Sequence, residues 1–324
     1  MRYFLHRPRF SLGAGVGWIV ILALFLIPLA TNRYVQYSIN LTLVYIVLAL
    51  GLNVLFGYTG QFAFANAAFF GIGAYASSLL TVKLGIPFWF SMPLGGIAAM
   101  VIGCIISVPA LRLARFYLAI MTMALGEAIQ WMFIHWDSVT FGPTGFRIVP
   151  PSLGGLVLNT DRGIYYVNLL VTLFILWMTR NILGSRIGRA FVAIRDSEVA
   201  AQCMAIPLTR YKILAYAISS FYAGIGGGLY AITVGYLTPE NFGIIQVTLH
   251  FCMVMVGGLG SMIGSVAGAL VLTSLPEVLR DYQAYQEIIY GFILLFILIF
   301  MPRGISGALK RFRWFREEIE KLTL

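Results

Sequence analysis

The chain has 324 residues, of which 60% are hydrophobic and 10% charged, with a mean hydropathy of +0.89. That balance excludes a soluble globular class. The net charge of +10 is read as membrane topology and lipid contact, not as a nucleic-acid footprint.

A hydrocarbon core of about 30 Å needs about 20 mainly apolar residues per spanning helix. Roughly ten stretches meet that length: 15–31, 38–56, 61–82, 88–110, 115–135, 164–182, 212–234, 243–260, 263–279 and 285–301. The expected fold is all-α, a polytopic membrane protein whose single domain takes in residues 1–324. The first stretch follows a basic segment like a signal peptide. It is read as a retained helix, because Pro28 to Arg33 leads straight into the next span.

The segment GLNVLFGYTGQFAFANAAFFGIGAY, residues 51–75, mixes Gly57, Gly60 and Gly71 with the amides Asn53, Gln61 and Asn66. Gly57-Tyr58-Thr59-Gly60 interrupts it without a charged loop. Two readings stand side by side: small residues and amides packing helix on helix, or a polar stripe along a solute path beside a broken helix. Glu127 is the acidic residue near the middle of a predicted span. A charge there costs about 2.5 to 3.5 kcal/mol on insertion scales, so it must face a partner, a cavity or a proton.

Residues 136–163 form the longest loop of the outer side, too short to fold alone, and contain the turn-rich Phe141-Gly142-Pro143-Thr144-Gly145. A polar island follows at 184–212 and holds Arg186, Arg189, Arg195, Arg210 and Lys212. Within it, Asp196 and Ser197 can cap a short amphipathic helix that Pro207 stops. Further on, Gly260, Gly264 and Gly268 have small-x-x-x-small spacing, which predicts tight helix packing, with a second chain as one candidate neighbour.

Orientation follows from Lys and Arg counted by loop. With a cytosolic amino terminus, seventeen of the 22 fall inside, leaving Arg33, Lys83, Arg147, Arg162 and Arg280 outside. Both termini and the island are therefore expected in the cytosol. No Gly-Lys pair exists, so there is no phosphate-cradling loop, and His6, His135 and His250 form no catalytic set. Cys104, Cys203 and Cys252 lack metal-ligand spacing. No catalytic residue and no metal site is expected.

Five ordered blocks resemble a known family: residues 51–75; TFGPTG; SRIGRAFVAIRDSEVAAQCMAI with TRYKILAYAISSFYAGIGGGLYA; VGGLGSMIGSVAGAL; and RDYQAYQEIIYGFILLFILIFMPRGI. The chain is similar to the permease subunits of branched-chain amino acid ABC importers, the LivH/LivM family, and more to the LivM type. That resemblance implies a type II ABC importer-like permease in the bacterial inner membrane. It also implies a homologous LivH-like permease partner, two ATPase subunits that carry the ATP and Mg, and a periplasmic solute-binding protein. The island would hold a coupling helix, Ser197 to Ala205, with Glu198, Ala200 and Ala201 as its core and Arg195-Asp196 before it. Arg195 and Glu198 could make charge-assisted contacts there.

Two positions depart from the family pattern. Ala205 stands where relatives carry Gly, and because Ala tolerates a left-handed cap poorly, the helix is expected to end by another turn at Pro207. Asn66 stands where many relatives carry His, which leaves open cargoes such as urea, short amides or aromatic acids. A rival from another class, an ATP-independent secondary transporter, would need more intramembrane ionisable groups than Glu127.

Overall fold

An apolar helix satisfies its backbone polar groups internally, which is what hydrocarbon demands of a spanning segment. The computed structural model is built almost wholly on that solution. It describes residues 32–110, 115–148, 150, 152–153, 156–157, 160–278 and 304–311, with isolated residues 24, 25, 27, 28, 288, 291, 292 and 295. The helices are α1 (Arg33–Asn53), α2 (Asn66–Leu84), α3 (Phe88–Ala110), α4 (Arg115–His135), α5 (Asp161–Gly184), α6 (Arg186–Asp196), α7 (Glu198–Cys203), α8 (Leu208–Val234), α9 (Ile244–Gly257), α10 (Met262–Val278) and α11 (Gly304–Arg311).

Among the described residues six helical segments are long and apolar enough to cross a membrane: Arg33–Tyr58, Asn66–Leu84, Phe88–Pro109, Tyr117–His135, Asp161–Gly184 and Leu208–Val234. Two shorter apolar helices, Ile244–Gly257 and Met262–Leu275, follow. The predicted spans 15–31 and 285–301 lie outside the continuously described residues.

The centre of the bundle is α1 against α8. The apolar window of α1 is 89% buried, whereas that of α4 is only 17% buried, so α4 is peripheral. Helices α2 and α3 pack on α8, while α5 and the α9–α10 hairpin pack on α1. Glycines set the closest approach. A Cβ placed on Gly73 would sit 2.2 Å from both Cα and the carbonyl oxygen of Gly224, and one on Gly227 would sit 2.1 Å from the Phe70 carbonyl. Polar side chains tie the same helices: Asn168 of α5 donates to Asn40 at 3.3 Å and to Thr233 at 3.0 Å.

The Gly260/Gly264/Gly268 stripe does pack tightly, but inside the chain. A Cβ added to Gly264 would meet the Gly257 carbonyl at 2.5 Å, and one added to Gly268 would meet the Met253 carbonyl at 1.9 Å, both on α9. At Gly264 and Gly268 the α9–α10 hairpin itself fills the space that the missing side chains leave, and at Gly260 Arg195 and Gly57 do. Gly71 is likewise filled from within, by the rings of Phe133 and Phe242.

The segment after α4 pairs with a distant strand. It runs through helical turns at Asp137–Thr140 and Gly142–Thr144 into β1 (Phe146–Arg147), which pairs antiparallel with β4 (Tyr236–Leu237) after α8. Beyond it, β2 (Ser152–Leu153) and β3 (Leu156–Val157) form a small hairpin. Lys83 at the end of α2 clamps the loop, donating to the carbonyls of Ser138 at 2.9 Å and Val139 at 3.3 Å.

Candidate functional site

The polar island folds as an elbow of two helices rather than one. Ser185 caps α6 by accepting from the Ile187 amide at 3.1 Å. Its apolar residues Ala190, Phe191 and Ile194 are buried, while Arg186 and Arg189 stay outside that core. The helix ends at Asp196, whose carboxylate accepts from Arg195 Nε at 3.2 Å. Ser197, not Asp196, caps α7, accepting from the Ala200 amide at 3.2 Å.

Short as it is, α7 has two distinct sides. Ala201 is buried against the elbow, and Glu198 is anchored by Lys212 Nζ at 2.7 Å. Ala200, Gln202 and Cys203 are exposed, and so are the apolar Val199 (72%) and Met204 (77%). Exposed aliphatic side chains on a helix held firmly from behind are a ready docking surface.

Ala205 corrects the expectation that this helix avoids a left-handed end. Its φ is +58°. The Ile206 amide bonds back to the Ala201 carbonyl at 3.1 Å and the Ala205 amide to the Gln202 carbonyl at 2.9 Å. This is a Schellman motif. Two hydrogen bonds, with Pro207 already committed to leading into α8, outweigh the roughly 1–2 kcal/mol that an L-residue loses there. Ala205→Gly is expected to release about 1 kcal/mol of that strain, slowing hydrogen exchange at the Ile206 amide about fivefold. An unchanged exchange rate would mean the strain is absent.

Where the elbow meets the bundle, Arg195 turns inward. Its Nη1 donates to the Gly57 carbonyl at 3.0 Å. Gly57 lies in a π turn, Val54–Tyr58, that continues α1 and ends at Thr59. Such a turn breaks the regular backbone ladder. Gly60 and Gly260, with φ of +69° and +72°, lie beside the stem and the tip of Arg195. A Cβ on Gly60 would lie 3.2 Å from Arg195 Cγ, and one on Gly260 would lie 2.8 Å from Nη1.

One turn deeper, Asn53 uses both ends of its amide. Nδ2 donates to the Ser261 carbonyl at 2.9 Å and to Ser265 Oγ at 2.7 Å, and Oδ1 accepts from the Gly260 amide at 2.9 Å. Asn53 thus joins α1 to the start of α10. Asn53→Ala removes two donated bonds, leaves the Gly260 amide without its Asn53 acceptor, and is expected to cost about 3 kcal/mol. Thermal unfolding of the detergent-solubilised protein measures this, and an unchanged midpoint would refute it.

Residues 59–65 leave the helical path, and α2 starts at Asn66, later than its predicted beginning at 61. Gln61 is 5% exposed and donates to Thr59 Oγ1 at 3.3 Å, with its own Oε1 unpaired. Asn66 meets Nδ1 of the fully buried His250 at 3.1 Å. His250 Nε2 lies 3.3 Å from the Gln246 amide, which reaches the Tyr45 hydroxyl at 2.9 Å. So Gln61 is buried beside the end of α1, and Asn66 sits in the interior between α2 and α9. Glu127 is elsewhere, exposed on the peripheral helix α4. The four predicted path residues do not converge on one cavity.

Sequence reading missed His250, Gln246 and Tyr45, and also Ser261 and Ser265 as partners of Asn53. Asn66 and His250 are 184 positions apart. A lone histidine in an apolar run is the one local signal that points to them.

Bundled apolar helices with internally bonded amides and a basic elbow at one end define a multi-pass membrane protein. Residues 34–301 match the family model described as branched-chain amino acid transport system / permease component, and the chain belongs to that family. It is 31% identical to the high-affinity branched-chain amino acid transport system permease protein LivM of Escherichia coli K12, over 92% of this chain and 78% of the relative. A probable LivM of Methanocaldococcus jannaschii is 25% identical over 81% of this chain and 90% of its own length. LivH of E. coli K12 is 25% identical over 88% of this chain and 96% of its own length. No solved structure matches the chain. The relatives are named as transport permeases, and this chain is a permease component rather than an enzyme.

Proposed function

We propose that this chain forms half of the translocation path of an ATP-driven importer for branched-chain or related amino acids. Its membrane part is a type II-like bundle of about ten spans in the inner membrane of a bacterium. A LivH-like permease supplies the other half, and two separate ATPase subunits bind the ATP and Mg. A periplasmic binding protein delivers solute to the face that carries residues 136–163. Both termini and the elbow are cytosolic, a reading supported by the seventeen Lys and Arg assigned to that side. Lipid headgroups meet Arg186 and Arg189.

The observation that carries this reading is α7 itself, an apolar-tipped helix braced against the bundle through Ala201 and the Glu198–Lys212 pair. A groove on an ATPase subunit would cover Val199 and Met204. Asn53 belongs to packing, because its amide is already spent. Gln61, Asn66 and Glu127 are assigned to the solute path. Of these, Glu127 faces out of the single chain, so a second permease or the path itself would spare its carboxylate from lipid.

The test is a pull-down of the tagged chain from mild detergent. A P-loop ATPase should co-purify in stoichiometric amount. Its consistent absence would favour the secondary transporter instead.

A further inference from the structure

Resting on the importer reading, we propose that Arg195 is a positioning residue, an inward-facing pin that carries motion of the coupling elbow into two spanning elements at once. It would not be a docking residue for the ATPase. A continuous path of hydrogen bonds and close packing runs from it. Arg195 Nη1 holds the Gly57 carbonyl at 3.0 Å. Gly57 in turn lies against Asn53 and Gly260, where a side chain would overlap Asn53 Oδ1 at 1.8 Å and the Gly260 nitrogen at 2.4 Å. Asn53 then binds Gly260, Ser261 and Ser265. One guanidinium therefore sits where the end of α1 meets the α9–α10 connection, bonded to the first and packed beside Gly260 of the second.

Three physical features suit it to that task. A guanidinium is always charged, and its planar fork keeps geometry when pulled. Its acceptor is a carbonyl near the carboxyl end of α1, where the helix dipole favours a cation. Gly60 and Gly260 let the backbone come close to its stem and tip, where any larger residue would crowd the side chain. By contrast, Val199 on α7 and Met204 just after it are exposed, and a docked partner would cover them. Docking and transmission are thus separated within one elbow.

The experiment uses the assembled complex in lipid nanodiscs, with Cys203 replaced by Ser and spin labels at the exposed positions 189 and 259. In the wild type, the distance between labels should hold within about 2 Å between the nucleotide-free and ATP–vanadate-trapped states, because pinned elements move together. Arg195→Gln should still retain the ATPase on purification but broaden that distance. It should also lower hydrolysis-coupled uptake of labelled leucine, per ATP hydrolysed, about tenfold. Arg195→Lys, which keeps the charge and one donor, should recover about a third of the wild-type ratio.

A wild-type distance that shifts by more than about 5 Å would overturn the pin, since one helical turn of slippage is that large. Loss of the ATPase from Arg195→Gln would overturn it too, making Arg195 a docking residue. Should that variant fail to insert, the wild-type distance alone decides. Absence of the ATPase from the wild-type complex sinks the importer reading and the pin with it. A slipping distance with the ATPase present sinks the pin alone.

Discussion

Gly73→Ala should destabilise the protein by about 3 kcal/mol, at the upper end of what overpacking costs. The added methyl would lie 2.2 Å from two backbone atoms of Gly224, so no side-chain rotation can make room for it. The helices α2 and α8 would have to separate along their whole crossing, opening contacts at Gly227 and Phe70 as they do. Helix propensity adds no penalty of its own, because the position is helical and Ala is the better helix former. Thermal unfolding in detergent should show a midpoint lower by about 6 °C or more. Gly126→Ala on α4 is the control: its methyl would lie 3.8 Å from the nearest atom and should leave the midpoint alone. Equal behaviour of the two variants would show that the α2–α8 crossing does not depend on the close approach of Gly73 to Gly224.

Val199→Asp, with Met204→Asp as its companion, should weaken association with the ATPase about 30-fold or more, the size of a buried interface anchor. Both side chains are exposed in the single chain, at 72% and 77%, so a polar replacement costs the fold little. Desolvating a new carboxylate in an apolar groove costs the complex much more. Glu198→Arg is the poorer probe. Glu198 is held by Lys212 at 2.7 Å, and reversing its charge would loosen α7 from behind as well as alter its outer face. The readout is ATPase retained per tagged permease after purification, beside the unfolding midpoint. Retention at the wild-type level with normal insertion would remove α7 from the interface.

The helical fold was legible because membrane insertion leaves a strong one-dimensional trace. Runs near twenty apolar residues at 88–110 and 115–135 matched α3 and α4 in full. The elbow's chemistry was legible for a similar reason, since Ser197 before Glu198 is a local capping signal and its hydrogen bond reaches only three residues ahead. Boundaries at broken helices were less legible. A π turn at Val54–Tyr58 and the non-helical residues 59–65 arise from what surrounds them, and composition there is as apolar as in the helices on either side.

What the sequence determined by itself was the membrane class, most of the spans and the existence of a structured basic island, since these depend on short-range composition. Only the tertiary structure decided what the polar residues do. Asn53 and Asn66 look alike within one segment, yet one locks α1 to α10 and the other meets His250. Arg195 reads as one more surface charge until Gly57 and Gly260 are brought beside it. A buried amide or a part-buried guanidinium takes its role from partners more than a hundred residues away, and that pairing exists only once the helices have packed.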